Sequence, residues 1–202
     1  MTILVVDRST ETQSAALVED GRIVSATTIE GTDSRSGEWV PKVWEFMSGC
    51  RPSRIVVGTG PGSFAGIRAA LAFAQGIALG SGAEVLGLPS PCSCARQDEP
   101  VAVVGDARRG KFWIALFDGF SLATPIFQVE EADLPKRVPQ SAKVFTPDAK
   151  RIGGKLAEMF GDRYDEKDGV PTAEGLAKAF LANSRLLVSE PPPIYLNPAV
   201  RD

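Results

Sequence analysis

Asp7 and Asp106 are the residues of this chain whose type and setting could orient a metal-bound nucleotide. Each ends an apolar run, Ile3 to Val6 and Val101 to Val104. Arg8-Ser9-Thr10 follows the first and Ala107-Arg108-Arg109 the second. Two such turns facing each other across a cleft suit a nucleoside triphosphate. Turn N–H groups and hydroxyls meet phosphate, and a carboxylate orients the hydration shell of Mg²⁺. This reading selects Asp7, Ser9, Asp106 and Arg108. The simpler reading is that an Asp at a strand end bonds its own backbone and caps a turn. Neither turn carries a glycine in the three residues after its Asp. That points to an ancestral nucleotide cleft that no longer binds on its own.

The second chemical feature is Gly58-Thr59-Gly60-Pro61-Gly62, between the apolar run Arg54 to Val57 and a helical stretch, Ser63 to Gly80. A strand, a glycine-rich turn and a helix form the setting in which backbone N–H groups can cradle a phosphate. The spacing argues against that use. The third glycine is misplaced for a dinucleotide fingerprint, and Leu88-Pro89-Ser90 stands where its acidic residue belongs. No Gly-Lys-Ser/Thr follows, so a Walker-type loop is absent.

The chain has no histidine. This excludes Ser-His-Asp and Cys-His triads, histidine general bases and histidine metal sites. An enzyme built on this chain would work with carboxylates, lysine or bound nucleotide. Cys50, Cys92 and Cys94 form neither an even disulfide framework nor a Cys-x-x-Cys pair, which fits reduced thiols in the cytoplasm. No signal peptide is visible. A net charge of −3 gives no basis for autonomous nucleic-acid binding, and Arg108-Arg109-Gly110-Lys111 reads as a solvated loop. No cofactor or metal is expected.

These residues must be positioned by alternating elements. Strands are expected at Ile3–Val6, Ser14–Val18, Arg22–Ile29, Arg54–Val57 and Glu84–Leu88, with Glu19-Asp20-Gly21 as a hairpin turn. Gly31 to Gly37 reads as a polar loop. Helices are expected at Glu38–Met47, started by Pro41, and Ser63–Gly80. The second half repeats the plan. Strands are expected at Val101–Val104, Lys111–Phe117, Leu122–Val129 and Lys143–Phe145. Helices follow at Asp148–Phe160 and Thr172–Ala182, each opened by a proline and a capping residue. The fold class is α/β, with two lobes built on one strand-hairpin-strand unit and the second reduced. The expected boundaries are 1–99, 100–189 and an extended Pro-rich tail, 190–202.

The Ser63–Gly80 helix is apolar almost all round; only Ser63, Arg68 and Gln75 are strongly polar. Such a helix is buried on more than one side. Ala65, Ala69, Ala72, Gly76 and Gly80 make a small-residue seam along which another helix can approach closely. Phe64, Ile67, Leu71, Ala74 and Ala78 form a second apolar stripe. On the preceding helix, Trp39, Val43 and Phe46 share a face with Met47. Either the chain covers both sides of the long helix, or a partner covers one. Arg68, Gln75 and the glycines argue against a membrane span.

Gly60-Pro61-Gly62-Ser63-Phe64-Ala65-Gly66-Ile67-Arg68, followed by Ala74-Gln75-Gly76-Ile77-Ala78, resembles the signature of the TsaB (YeaZ) family. Asp7-Arg8-Ser9-Thr10, Asp106-Ala107-Arg108-Arg109-Gly110 and Tyr195-Leu196 match that family in order. The resemblance implies a two-lobed actin-like, Hsp70-like ATPase fold with duplicated RNase H-like lobes. It implies a non-catalytic relative of TsaD, the subunit that completes threonylcarbamoyladenosine on tRNA. TsaD carries a histidine metal motif, so this chain resembles the scaffold. In that family the N-terminal helices contact TsaD and also form a homodimer, TsaE, an ATPase, joins the assembly, and tRNA is reached through the complex. The interface residues so implied are Trp39, Val43, Phe46, Ala65, Ala69, Ala72, Gly76 and Gly80. Departures are Arg8 and Ala65, both for Thr, Lys111 and Trp113 for Glu and Tyr, and Asn197 for a basic residue. The alternative is a small-molecule ATPase or phosphotransferase of the same fold, using Asp7 and Asp106.

Overall fold

The computed structural model describes residues 1–29, 38–189 and 191–194. The Gly31–Gly37 loop, Tyr195-Leu196 and Asn197 lie outside the described residues. The chain divides into two compact units, Met1–Ser93 with Pro171–Ile194, and Cys94–Val170. The sequence places 171–189 in the second lobe, whereas here it groups with the first.

The first unit is built on a six-stranded sheet. Its strands are β1 (Thr2–Asp7), β2 (Gln13–Glu19), β3 (Arg22–Ile29), β4 (Arg54–Gly58), β5 (Glu84–Leu88) and a two-residue β11 (Val188–Ser189). They lie in the order β11-β5-β4-β1-β2-β3. β1 pairs antiparallel with β2 and parallel with β4, opposing Val5 to Ala16 and Val56. Central strands in such a sheet are covered on both faces, which is why β1 and β4 read as unbroken Ile, Leu and Val. On one face lie α1 (Trp39–Met47) and α2 (Phe64–Ser81). They share a core with the sheet through Trp39, Val43, Met47, Ile67, Ala70, Leu71 and Ala74. The helix α5 (Ala173–Ala182) packs on β1, β2 and β3. Its Leu176, Ala177 and Phe180 are buried, and its first N–H, from Ala173, donates to Ser14 Oγ at 2.8 Å. Sequence order does not reveal which sheet a late helix covers, so this grouping was invisible in the chain.

The second unit starts the same way. β6 (Val101–Arg108) pairs antiparallel with β7 (Lys111–Asp118) and parallel with β10 (Lys143–Phe145). The expected strand Leu122–Val129 is broken into β8 (Ser121–Leu122) and β9 (Phe127–Glu130). Pro125 lies in the break, and proline cannot donate to a ladder. A four-residue α3 (Leu134–Arg137) precedes β10. The helix α4 (Ala149–Phe160) buries Ile152, Leu156 and Phe160 against Phe112, Ile114 and Val144. The actin-like, duplicated α/β architecture read from the sequence is the one observed.

Candidate functional site

Two places merit the name of a site: the turns carrying the aspartates and the outer face of α2. The first begins where β1 leaves the sheet. Asp7 is fully buried, and Ser9 is 2 % exposed. Asp7 Oδ1 accepts hydrogen bonds from Ser9 N (2.9 Å) and Ser9 Oγ (2.7 Å). Asp7 Oδ2 accepts from Ser90 Oγ at 2.6 Å, and Ser90 Oγ accepts from Gly60 N at 3.0 Å. The carboxylate therefore ties the ends of β1 and β5 to the glycine-rich turn. Burial pushes its pKa above the ordinary carboxylate value, while the Ser90 and Ser9 hydrogen bonds pull it down.

The glycines of that turn serve close approach. A Cβ at Gly58 would overlap the Asp7 carboxylate, at Gly62 the Ser9 carbonyl, and at Gly66 the Arg8 carbonyl. Gly60 has φ +88° and precedes a cis peptide to Pro61. Ser63 N donates to Ser9 O at 2.7 Å, and Ser63 Oγ caps α2 by accepting from Gly66 N at 3.2 Å. The helix start that could have met a phosphate is thus seated on the Asp7–Ser9 turn. Arg8 is buried as well, with its guanidinium 5.2 Å from the Trp39 ring centroid. Burial lowers its pKa from the usual arginine value. Arg8 thereby packs on α1.

In the second unit Asp106 repeats the local geometry: its Oδ1 accepts from Arg108 N at 2.7 Å, two residues on, as Asp7 does from Ser9. This is the turn-capping role of an Asp at a strand end. Asp106 Oδ2 also lies 3.4 Å from Arg108 Nη1 and 3.4 Å from Arg151 Nε. Asp148, expected as a helix cap, instead accepts from Asp106 N at 2.9 Å and pairs with Arg151. Two guanidinium groups already neutralise the carboxylate that the nucleotide reading assigns to Mg²⁺. Among the described residues, no three Cys, Asp or Glu cluster as metal ligands.

The second site is α2 itself. Its buried positions are Gly66, Ile67, Ala70, Leu71 and Ala74, all on the sheet side. Over its first seventeen residues the exposed positions are Phe64, Ala65, Arg68, Ala72, Gln75, Gly76, Leu79 and Gly80, and Ala69 is half-buried. At 3.6 residues per turn these fall on the opposite half of one cylinder. Phe64 is 54 % and Leu79 91 % exposed. Those two side chains, at opposite ends of the helix, leave roughly 200–300 Å² of apolar surface in water. An open groove of about 470 Å³, lined by Gln75, Ala78, Leu79 and Val85, extends this face towards β5. By length and composition α2 could cross a membrane, but its inner side is part of the sheet's core.

The structure separates the residues expected at an interface. Ala65, Ala72, Gly76 and Gly80 lie open, with Ala69 beside them. Trp39 and Val43 do not: both are fully buried in the sheet's core, with Phe46 packed against it. Trp39 stands edge-on to Phe73, ring centroids 5.0 Å apart. A side chain without exposed surface cannot be touched by a partner, so these two belong to folding. The open apolar residues of α1 are Val40 (42 %) and Trp44 (61 %), four apart. Sequence reasoning missed them because both stripes of α1 are apolar. The exposed tryptophan beside Lys42 and Glu45 was the available signal.

A family model described as TsaD: tRNA N6-adenosine threonylcarbamoyltransferase matches residues 48–138, less than half of the chain. No curated protein matches in sequence. Among solved structures, YeaZ from Pseudomonas aeruginosa superimposes with a TM-score of 0.74 at 22% identity, covering 96% of this chain and 100% of that one. A crystal structure described as an uncharacterized protein with similarity to peptidase YEAZ from Pseudomonas aeruginosa gives 0.72 at 24%, covering 97% and 99%. The ethanolamine utilization protein EutJ from Carboxydothermus hydrogenoformans gives 0.54 at 14%, covering 89% and 90%. At these identities the likeness shows the fold. The resemblance to YeaZ that the motifs carry is shared by structures matching over nearly the whole chain.

Proposed function

We propose that this chain is a non-catalytic subunit that binds and stabilises a TsaD-like tRNA N6-adenosine threonylcarbamoyltransferase. The observation that carries the reading is the uncovered outer half of α2: an apolar, small-residue helix face on a unit whose core is already complete. A fold shared with YeaZ and a TsaD family match across β4, α2 and β5 support the same reading. The closed Asp7 turn supports a scaffold over a nucleotide-using enzyme, since its acceptor atoms already receive hydrogen bonds. A TsaE-like ATPase in the same assembly, a homodimer in the absence of the larger subunit, and indirect contact with tRNA complete the proposal on the strength of the resemblance.

The test is affinity capture of the tagged full chain from its own cells, with mass spectrometry of what is retained. Stoichiometric recovery of the TsaD-like subunit is the expected result. Its absence, with tight binding of ATP and Mg²⁺ by the isolated chain in calorimetry, would overturn the proposal in favour of a nucleotide-using enzyme.

A further inference from the structure

We infer that β3 is the edge through which a second copy of this chain pairs, the two sheets joining about a two-fold axis. The homodimer proposed above is the reading this rests on; the edge and its residues are what it adds.

β3 closes one end of the sheet order, and among the described residues its strand pairing is with β2 alone. Its other side is a row of unpaired N–H and C=O groups, a template for one more strand. Edge strands are usually blunted by charge, proline or a bulge. Here those devices sit at one end. Arg22 starts the strand, and Val24 is the bulged residue, with nothing opposite it on β2. From Ser25 to Ile29 the edge has no charge, no proline and no bulge. Ser25, Ala26 and Thr28 are exposed. An open groove of about 350 Å³ runs beside this stretch, lined by Thr27, Thr28, Ile29, Lys42, Glu45 and Phe46. Side chains of an added strand would enter it.

A second copy suits this edge because the edge complements itself. Antiparallel pairing about a two-fold axis lays Ser25–Ile29 against the same stretch. Hydroxyls, small residues and β-branched side chains then oppose one another, pairs that favour a ladder. The axis stands perpendicular to the joined sheet and keeps both α1 helices on one face. α1 lies over β2 and β3, and paired strands are about 4.8 Å apart, so the two helices come side by side. Each presents Lys42 and Glu45, both exposed and neither in an ion pair among the described residues. Reversing one helix against the other sets Lys42 against Glu45 of the partner subunit, and Glu45 against its Lys42. The groove residues therefore supply the charge complementarity twice over. α2 lies over β1, β4 and β5, away from this edge, so its open face stays free for the larger subunit. A contact this small belongs with the weak interfaces, and association in the micromolar range is expected.

The experiment is sedimentation of the full chain across about 1–100 μM, with a thermal melt of each variant. It compares the wild type with Ala26→Lys, Lys42→Glu, the double variant Lys42→Glu with Glu45→Lys, and Ala72→Lys on the open face of α2. All four change only exposed residues, so their melts should lie close to the wild type. Ala26→Lys puts a charge on each meeting edge and should weaken self-association at least about 10-fold. Lys42→Glu removes two ion pairs and sets acid against acid twice, so the weakening should be about 5- to 30-fold. The double variant should recover wild-type association, and Ala72→Lys should leave it unchanged. If the wild type stays monomeric throughout, the homodimer reading falls and this inference with it. If it dimerises and Ala72→Lys breaks the dimer while Ala26→Lys does not, the copies meet on α2: the β3 edge is refuted and the homodimer stands. If Lys42→Glu weakens the dimer and the double variant does not restore it, the reciprocal two-fold arrangement is refuted.

Discussion

Ala70 and Ala72 stand two residues apart on α2 and test the two sides of the helix against each other. Ala70 is fully buried against the sheet, whereas Ala72 faces water in the middle of the open side. In the free chain Ala72→Lys places an ammonium in solvent on a helix that tolerates lysine, so its stability should move by no more than about 0.5 kcal/mol. Docked, the same ammonium lies one turn from Arg68 beneath a covering helix. An unpaired desolvated charge at an interface costs about 2–5 kcal/mol, and lysine's flexible stem favours the lower half of that range. At about 1.4 kcal/mol per tenfold, a loss of 2–3 kcal/mol weakens Kd roughly 30- to 150-fold. Ala70→Lys forces its charge into the core and should remove a large share of a domain's stability, which is only about 5–15 kcal/mol in total. The assay is a calorimetric titration with the TsaD-like subunit beside thermal melts of both variants. Binding of Ala72→Lys as tight as that of the wild type would show that the open side is not the docking face. Unfolding of the free chain by Ala72→Lys would refute the open face equally, because the face would then be closed within the monomer.

Three further outcomes follow from single residues. Gly76 has open space around the position of a Cβ, so Gly76→Ala should raise stability by about 0.5–1 kcal/mol, while the added methyl weakens partner binding in titration. Gly58→Ala drives a Cβ into the Asp7 carboxylate and against Ser90 Oγ, and denaturant melts should show a loss of about 2–4 kcal/mol. Asp7 carries a pKa raised by burial, so the folded chain holds its proton more tightly than the unfolded chain does. Asp7's contribution therefore falls as pH rises from the unfolded value of 3.8 through the raised folded value, and it is flat above that. Denaturation of the wild type and Asp7→Asn across this window should show the wild type gaining on the variant as pH is lowered; a difference constant with pH would contradict the burial argument.

Much of the fold was legible because its signals are local. β1 and β4 are continuous apolar runs, as strands covered on both faces must be, and α2 lies within one residue of the expected Ser63–Gly80. Ser63 and Thr172 mark their helix starts through side-chain caps to Gly66 N and Gly175 N. What failed depended on distant packing. Asp148 reads as a cap but is drawn to Asp106 N and Arg151. The two-residue β11 exists because β5 offers it a free edge, which no pattern in Val188-Ser189 announces. Of the site, the small-residue seam of α2 was legible from its spacing. The division of α1 into buried Trp39 and exposed Trp44 was not, because only the position of the sheet decides which stripe turns inward.

In the proposed function, the open half of α2 is where the larger subunit docks. Amide hydrogen exchange of the full chain, with and without saturating TsaD-like subunit, tests it most directly. Exchange should slow across Phe64–Ser81 and Trp39–Met47, with Ala149–Phe160 unchanged. Protection confined to the second unit, or no protection on α2 in a demonstrably formed complex, would contradict it.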